Sequence, residues 1–222
     1  ESSEPIFAYE AQNEPMYENE SPDTLTAWQC TIAQAIKDNM NDNPDTLVTS
    51  GGASHLATSV QAPYFSCDAI DVIGIHAYGV GDLDTSSLQS YVTQAQNASK
   101  KLIMQERSAC YLDASKNACN GGSPLDSGMR DNNILTWASQ FDAAGIPWFY
   151  WQIIFNADPH QDWDYAVGIN DVNWPALQSA SIATGNATSA FDFRMDFNLY
   201  CGGLIKGYAG MRSQCYSDMD II

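Results

Sequence analysis

Short apolar runs that end in polar residues alternate along this chain with segments of helical periodicity. Five runs rich in β-branched or aromatic residues predict buried strands at residues 6–13, 46–49, 69–76, 101–106 and 147–154. Apolar residues recur at helical spacing between them, which predicts helices over residues 22–38, 88–95 and 134–141 and one beginning near residue 174. This alternation of strand and helix predicts βα units, and therefore an α/β fold with a parallel sheet.

The predicted domain organisation follows from where this periodicity stops. Residues 1–184 carry all the predicted strands and helices and form one α/β unit. Residues 185–222 have no clear period, and they contain two cysteines and a glycosylation sequon. We therefore predict a loop-rich, disulfide-stapled C-terminal extension that packs on the main unit.

The charge of the chain excludes some classes of partner. There are 27 acidic and 9 basic residues, which gives a net charge of −18. Such a surface repels nucleic acids and anionic membranes, because binding to phosphate groups needs Lys and Arg. No window approaches the roughly 18 apolar residues of a membrane-spanning helix. A neutral ligand meets no such repulsion, although solubility in an acidic or extracellular setting explains the same charge equally well.

Six cysteines, an even number without CxxC spacing, indicate a disulfide framework. The simplest of the possible connectivities joins neighbours, as Cys30–Cys67, Cys110–Cys119 and Cys201–Cys215.

N-glycosylation sequons are a second sign of the compartment, and they begin at Asn19, Asn97 and Asn186. Sequons, paired cysteines and an acidic surface together favour a secreted eukaryotic protein. The chain starts without Met and without a signal peptide, which favours a mature or processed chain.

Polar or aromatic side chains stand where four of the predicted strands end. They are Asn13-Glu14, His76 with Tyr78, Gln105-Glu106 and Trp151. The carboxyl ends of parallel strands meet at one edge of a sheet, where functional groups gather. Strand ends that simply meet solvent would explain any one of these residues. They explain less well two carboxylates 92 positions apart, each preceded by an amide, on strands that are not adjacent.

Two facing carboxylates beside an apolar wall are what the cleavage of a glycosidic bond requires. One must stay protonated to donate to the leaving oxygen, and the other must stay ionised to attack or stabilise the anomeric carbon. A separation of about 5–5.5 Å leads to retention of configuration through a covalent glycosyl intermediate.

These motifs, taken in order, resemble those of a known group of enzymes. "QNEP" at residues 12–15, "HAYG" at residues 76–79, the isolated Glu106 and Trp151 resemble the clan A retaining glycoside hydrolases, most closely family 5 with its fungal members. The resemblance covers residues 6 to about 182. It implies a (β/α)8 TIM barrel, of which this chain holds about strands 4 to 8.

The same resemblance implies a role for each matching residue. Glu14 would be the catalytic acid/base, and its neighbour Asn13 would bind the sugar 2-hydroxyl. Glu106 would be the nucleophile. His76 and Tyr78 would lie on one strand and would both belong to the substrate-binding residues. Tyr78 would also orient the nucleophile.

Two tryptophans are predicted to contact the substrate. The resemblance makes Trp151 the stacking platform of the −1 subsite. Trp163 lies within "QDWDY", where polar neighbours indicate exposure and a ring free to stack on a sugar face. Tyr17 and Tyr165 also follow strand ends, but apolar packing is the commoner use of such residues.

The sequence also departs from the family. Three βα units should precede residue 1, so the family's Arg and His from earlier strands have no counterpart here. Gln105-Glu106-Arg107 is not the commonest context of the nucleophile. We therefore expect this chain to be the C-terminal part of a barrel whose partner is the missing N-terminal half, and intact-mass analysis should reveal preceding residues.

Other chemistry has weak support in the sequence. The three histidines show no HExxH spacing, and we predict no metal and no cofactor. Three aspartates near His160 could hold calcium, although a solvated acidic loop is favoured; they are Asp158, Asp162 and Asp164. "SGGAS" at residues 50–54 lacks the strand-to-helix context of a nucleophile elbow.

The sequence thus predicts a secreted retaining β-glycoside hydrolase that cleaves a neutral polysaccharide, β-mannan or β-glucan, by double displacement. The alternative is a non-catalytic carbohydrate-binding protein or an inactive remnant of such an enzyme, with the same cleft. The missing residues of the first three strands and the short length motivate this alternative.

Overall fold

The computed structural model describes residues 6–15, 21–40, 46–78, 85–112, 123–155 and 165–193. Several sequence-based predictions lie outside these residues. They concern Trp163, the sequon at Asn19, the acidic loop with Asp158, Asp162 and Asp164, the cysteines Cys119, Cys201 and Cys215, and the extension from residue 194.

Five parallel strands form the main sheet, in the order in which they occur along the chain. They are β1 (Ala8–Glu10), β2 (Leu47–Thr49), β3 (Val72–Tyr78), β4 (Lys101–Ser108) and β5 (Trp148–Tyr150). The sequential parallel order and the α/β class are as predicted. The strands form half of a barrel.

The last predicted strand is split in two. β5 ends at Tyr150, and Ile153–Ile154 (β6) pairs instead with Val167–Gly168 (β7) in a second, two-stranded parallel sheet. The interruption falls at Trp151 and Gln152, which are joined by a cis peptide bond.

Helices cover one face of the sheet. They are α1 (Pro22–Asn39), α2 (Leu56–Ser59), α3 (Thr85–Asn97), α4 (Ser127–Ala144) and α5 (Trp174–Thr184), with a 3₁₀ helix at Ala62–Ser66. The Ser21 hydroxyl caps α1 by accepting from the Thr24 amide, and Pro22 occupies the first turn. α2 and the 3₁₀ helix were not predicted, since each is too short to show a period.

The main core lies between the sheet and the helices. β3 is buried from Val72 to Ala77, which is typical of a parallel strand covered on both faces. Side chains of α3 and α4 pack against β3 and β4. The largest fully buried ones are Leu88, Ile134 and Phe141 on the helices and Ile73, Ile75, Leu102 and Met104 on the strands. A smaller cluster of Leu47, Val72 and Ile103 lies on the opposite, inner face of the sheet.

Disulfides and a hydrogen bond stabilise segments outside the main core. The predicted pair Cys30–Cys67 forms a disulfide, and Cys110 is also disulfide-bonded. After α5, the Ala190 amide donates to the Gly145 carbonyl and Phe191 is buried. Within the described residues, no helix has the length and apolar character needed to cross a membrane.

Candidate active site

Glu14 follows β1 in a tight turn at the carboxyl edge of the sheet. Its backbone has φ of +47°, and its amide donates to the Gly51 carbonyl at 2.8 Å. A non-glycine residue in this left-handed region is uncommon and is held by its surroundings. Pro15 is buried directly after it, whereas Asn13 is exposed.

A β-bulge in β4 directs Glu106 into the same space. Ile75 lies opposite Met104, but the next residue, His76, lies opposite Glu106, so Gln105 is an extra residue. Side chains alternate along a regular strand, and an extra residue reverses that alternation beyond it. Glu106 therefore shares the inner face with His76, while Arg107 turns outward into the helical layer, where it is fully buried.

His76 lies between the two carboxylates. Its Nδ1 is 2.8 Å from Glu14 Oε1 and 3.6 Å from Glu106 Oε2, and its side chain is 1% exposed. The other ring nitrogen, Nε2, is buried with no hydrogen-bond partner among the described residues. The ring is thus fixed by packing on one side and by the acidic pair on the other.

The loop after β2 closes around this group. Gly52 has φ of +63° and lies against the His76 ring, where a side chain would collide. A Cβ at Gly51 would lie 1.8 Å from the Gln12 carbonyl oxygen, so this position also requires glycine. Ser54 brings its hydroxyl to 3.4 Å from Glu14 Oε2 and 3.5 Å from Oε1. This loop therefore contacts both Glu14 and His76.

Tyr78 ends β3 and donates its hydroxyl proton to Glu106 Oε2. Burial, followed by this hydrogen bond to Glu106, raises the pKa of Tyr78 well above its ordinary value. The phenol therefore stays protonated and remains a donor to the carboxylate. The ring of Tyr165 packs beside it, with 4.7 Å between ring centroids, and the Tyr165 carbonyl accepts from the Tyr150 hydroxyl.

The outcome is a compact acidic pair around one imidazole. One oxygen from each of Glu14 and Glu106 and one nitrogen of His76 all lie within 4.8 Å of one another. The side chains of Glu14 and Glu106 are 23% and 15% exposed, so a ligand can reach both. This spacing suits a pair in which one carboxylate attacks while the other transfers a proton to the same group.

The same three side chains are also a possible cation site. However, His76 and Tyr78 already occupy one oxygen of Glu14 and one of Glu106. Hydrogen-bonded carboxylates of this kind also suit acid–base chemistry.

Two further residues predicted to contact the substrate, Trp151 and Asn13, are linked to the acidic pair through the backbone. Trp151 follows β5 and is 45% exposed, and its amide donates to the Arg107 carbonyl at 2.9 Å, beside Glu106. Asn13 adjoins Glu14 in the chain and is exposed. Ser54 and Gly52 were missed by sequence reasoning, although two adjacent glycines at the end of β2 were a signal for a close approach of backbone.

Comparison with known proteins supports the fold. No protein-family model matches the chain, and no curated protein matches it. Solved structures do match. The endo-β-1,4-mannanase from Thermotoga petrophila is 15% identical with a TM-score of 0.56, over 82% of this chain and 44% of that one.

Two structures from Rhizomucor miehei match in the same way. An endo-1,4-β-mannanase is 15% identical with a TM-score of 0.55, over 81% of this chain and 54% of that one. A glycoside hydrolase family 5 mannosidase is 16% identical with a TM-score of 0.56, over 81% of this chain and 51% of that one. This chain spans about half the length of the solved structures it matches. It therefore has the fold of part of the TIM barrel found in family 5 mannanases and mannosidases.

Proposed function

We propose that this chain carries both catalytic carboxylates of a secreted retaining β-glycoside hydrolase. The observation that supports the proposal is the convergence of Glu14, His76 and Glu106, whose ligand atoms lie within 4.8 Å of one another. Retaining glycosidases keep their two carboxyl groups about 5–5.5 Å apart, because one of them must reach the anomeric carbon itself. An inverting enzyme needs a wider gap, which leaves room for a water molecule.

In the first step, Glu106 attacks the anomeric carbon and forms a glycosyl–enzyme ester. Glu14 gives its proton to the glycosidic oxygen as the bond to the leaving group breaks. Tyr78 donates to the Oε2 atom of Glu106 and keeps that side chain aimed at the sugar.

In the second step, the Glu14 carboxylate takes a proton from a water molecule. The resulting hydroxide attacks the anomeric carbon and breaks the ester to Glu106, which leaves as a carboxylate. The proton returned to Glu14 restores the starting state. His76 holds Glu14 in the same place during both steps, with 2.8 Å between Nδ1 and Oε1.

A neutral β-mannan is the substrate we favour. The net charge of −18 disfavours anionic polysaccharides. The solved structures with this fold include endo-β-1,4-mannanases and a family 5 mannosidase, one form of which is in complex with mannosyl-fructose. β-Glucan is the second candidate. The exposed indole of Trp151 offers a face on which a neutral sugar ring can stack.

Secretion completes this proposal. Besides the disulfide between Cys30 and Cys67, the sequon asparagines Asn97 and Asn186 are both exposed, which makes them accessible to glycan attachment.

The test uses the full-length protein and a 2-deoxy-2-fluoro-β-mannosyl fluoride, with the glucosyl analogue in parallel. We expect a covalent adduct on Glu106, found by peptide mass mapping, and release of reducing ends from β-mannan. Glu106→Gln should lower turnover by at least about 10³-fold and abolish labelling. Asp68→Asn is the control, because Asp68 is an exposed carboxylate before the start of β3, at the other end of the sheet. Full turnover by Glu106→Gln would rule out the mechanism.

A non-catalytic function is the second candidate. The specific observation in its favour is that the described part of the chain forms only half of a barrel and matches about half of each solved structure. Such a protein would bind mannan or glucan through the same residues. Binding by the full-length protein without labelling of Glu106 and without release of reducing ends would support this function instead.

A further inference from the structure

One hydrogen bond connects the two chain segments that carry the carboxylates. Gln105 Nε2 donates to Glu10 Oε2 at 2.9 Å. Gln105 directly precedes Glu106. Glu10 is the last residue of β1 and lies four residues before Glu14. β1 and β4 are not neighbours, because β2 and β3 lie between them. The side chains therefore reach across the inner face of the sheet.

The position of Gln105 makes this contact possible. Gln105 is the extra residue of the β4 bulge, so its side chain and that of Glu106 both point to the inner face. Its amide lies over Gly74 of β3, where a Cβ would be only 1.9 Å from Gln105 Oε1. Beyond β3, Gln105 Nε2 also donates to Thr49 Oγ1 of β2, at 3.2 Å. The bulge is thus attached to β2 and β1 through the amide.

We propose that Glu10 and Gln105 are positioning residues that set the separation of the Glu14 and Glu106 carboxylates. The proposal rests on the hydrolase function given above, and it assigns no contact with substrate to either residue.

The physical reason lies in one local feature of each segment that carries a carboxylate. β1 has only three residues and, in the described part of the chain, pairs with β2 alone. A bulge is locally irregular, so its direction depends on what holds the extra residue. Since a displacement of about 1 Å at reacting atoms can cost roughly 10²-fold in rate, a single bond between these segments has a large effect on turnover.

The test compares side chains that keep or remove the hydrogen bond in the full-length protein. Glu10→Gln keeps an acceptor oxygen, whereas Glu10→Leu removes it at similar size. Gln105→Met removes the donor at similar length. We expect Glu10→Gln to stay within about threefold of the parent, and the other two to lower kcat by about 10- to 100-fold with KM within about threefold.

The double variant Glu10→Leu/Gln105→Met separates a shared contact from two independent effects. It should lose no more than the worse single variant, because both changes remove the same bond. Losses that multiply, equal losses in Glu10→Gln and Glu10→Leu, or changes confined to KM would overturn the proposal. A general loss of folding would lower the active fraction in all variants without this pattern.

A crystallographic measurement keeps this proposal distinct from the hydrolase function. In Gln105→Met, the distance between the Glu14 and Glu106 carboxylates should change by about 1 Å or more, and the pairing of His76 with Glu106 should shift. If the parent hydrolyses no glycan but this change occurs, the hydrolase function fails and the positioning contact is supported. An unchanged separation overturns the positioning role, whatever the activity of the parent.

Discussion

Gly52 stands where the His76 ring leaves no room for any side chain. A Cβ at Gly52 would lie 2.4 Å from His76 Cδ2 and 2.6 Å from Nε2, well inside contact distance. Gly52 also has φ of +63°, which an L-residue with a side chain adopts at a cost. The imidazole between the two carboxylates is thus held from behind by backbone.

Gly52→Ala should therefore displace His76 rather than merely loosen a turn. With the proposed hydrolase function, we expect kcat/KM on mannan to fall by about 10²-fold, and the free energy of unfolding to fall by about 1–3 kcal/mol. Steady-state kinetics and denaturant titration measure the two effects. Gly185→Ala is the control, because Gly185 is exposed, has φ of −58° and lies far along the chain at the end of α5. Equal activity of Gly52→Ala and the parent would show that His76 does not depend on this contact.

The titration of Tyr78 provides a second prediction. Burial and the hydrogen bond to Glu106 raise the pKa of Tyr78, so the folded protein keeps this proton at a pH where the unfolded chain has released it. The unfolded state then binds fewer protons, and the contribution of Tyr78 to stability is complete below about pH 10 and is lost as pH rises above it. Phenolate absorbance at about pH 11 should be the same for the parent and Tyr78→Phe, since Tyr78 stays protonated in the parent and is absent from the variant.

Activity measurements on the same variant test the role of that hydroxyl. Tyr78→Phe should lower kcat by about 10²-fold, because Glu106 loses its donor while the ring remains. Tyr64→Phe serves as the matched control: Tyr64 is also buried with a raised pKa, but its hydroxyl has no hydrogen-bond partner among the described residues. A parent with one more phenolate than Tyr78→Phe at pH 11 would contradict the shifted titration.

The sequence predicted the strands that bear the site better than the geometry of the site. The periodicity of hydrophobic residues is a local property of the chain. It was therefore enough to place Asn13-Glu14, His76 and Glu106 at strand ends. The bulge at Gln105 could not be placed in this way, since register depends on pairing with β3, a segment about thirty residues away. For the same reason, the residues 147–154 read as one strand, although part of them pairs with β7.

The close approaches within the site were equally hidden. Gly52 and Ser54 contribute through contacts with His76 and Glu14, which are remote in sequence. Their loop was considered only as a nucleophile elbow, because a pattern of glycine and serine does not reveal which side chain will pack on it. Only the folded register brings these residues together.

The disulfide between Cys30 and Cys67 should contribute substantially to stability. It joins α1 to the segment that follows the 3₁₀ helix and closes a loop with a sequence separation of 37. The chain-entropy estimate for a loop of this length is about 4 kcal/mol. The double variant Cys30→Ser/Cys67→Ser should lose about 2–4 kcal/mol in denaturant unfolding, with the two single variants as controls for an unpaired thiol. A loss below about 1 kcal/mol would contradict this expectation.

Arg130 of α4 should be important for stability. Its buried guanidinium donates to the carbonyls of Ala109, Tyr165 and Ala166, which links the end of β4 to the segment before α5. Arg130→Met keeps most of the volume but leaves these acceptors without their donor. We expect a loss of about 3–5 kcal/mol in the free energy of unfolding, and a smaller shift for Arg130→Lys, which keeps a positive charge. A Met variant as stable as the parent would contradict this expectation.

The exposed apolar side chains at and after β5 should bind apolar probes when residues 1–222 are produced alone. Phe149, Trp151 and Ile153 are 60%, 45% and 41% exposed, and within the described residues β1 and β5 each pair on one side only. Contiguous exposed apolar surface beside open strand edges favours association.

We expect strong fluorescence with the dye ANS and concentration-dependent self-association in sedimentation, both reduced in Phe149→Ser/Ile153→Ser. Ile182→Ser is the control, because Ile182 is 74% exposed on α5, away from the sheet edges. A monomeric 222-residue chain that binds no ANS would contradict the prediction.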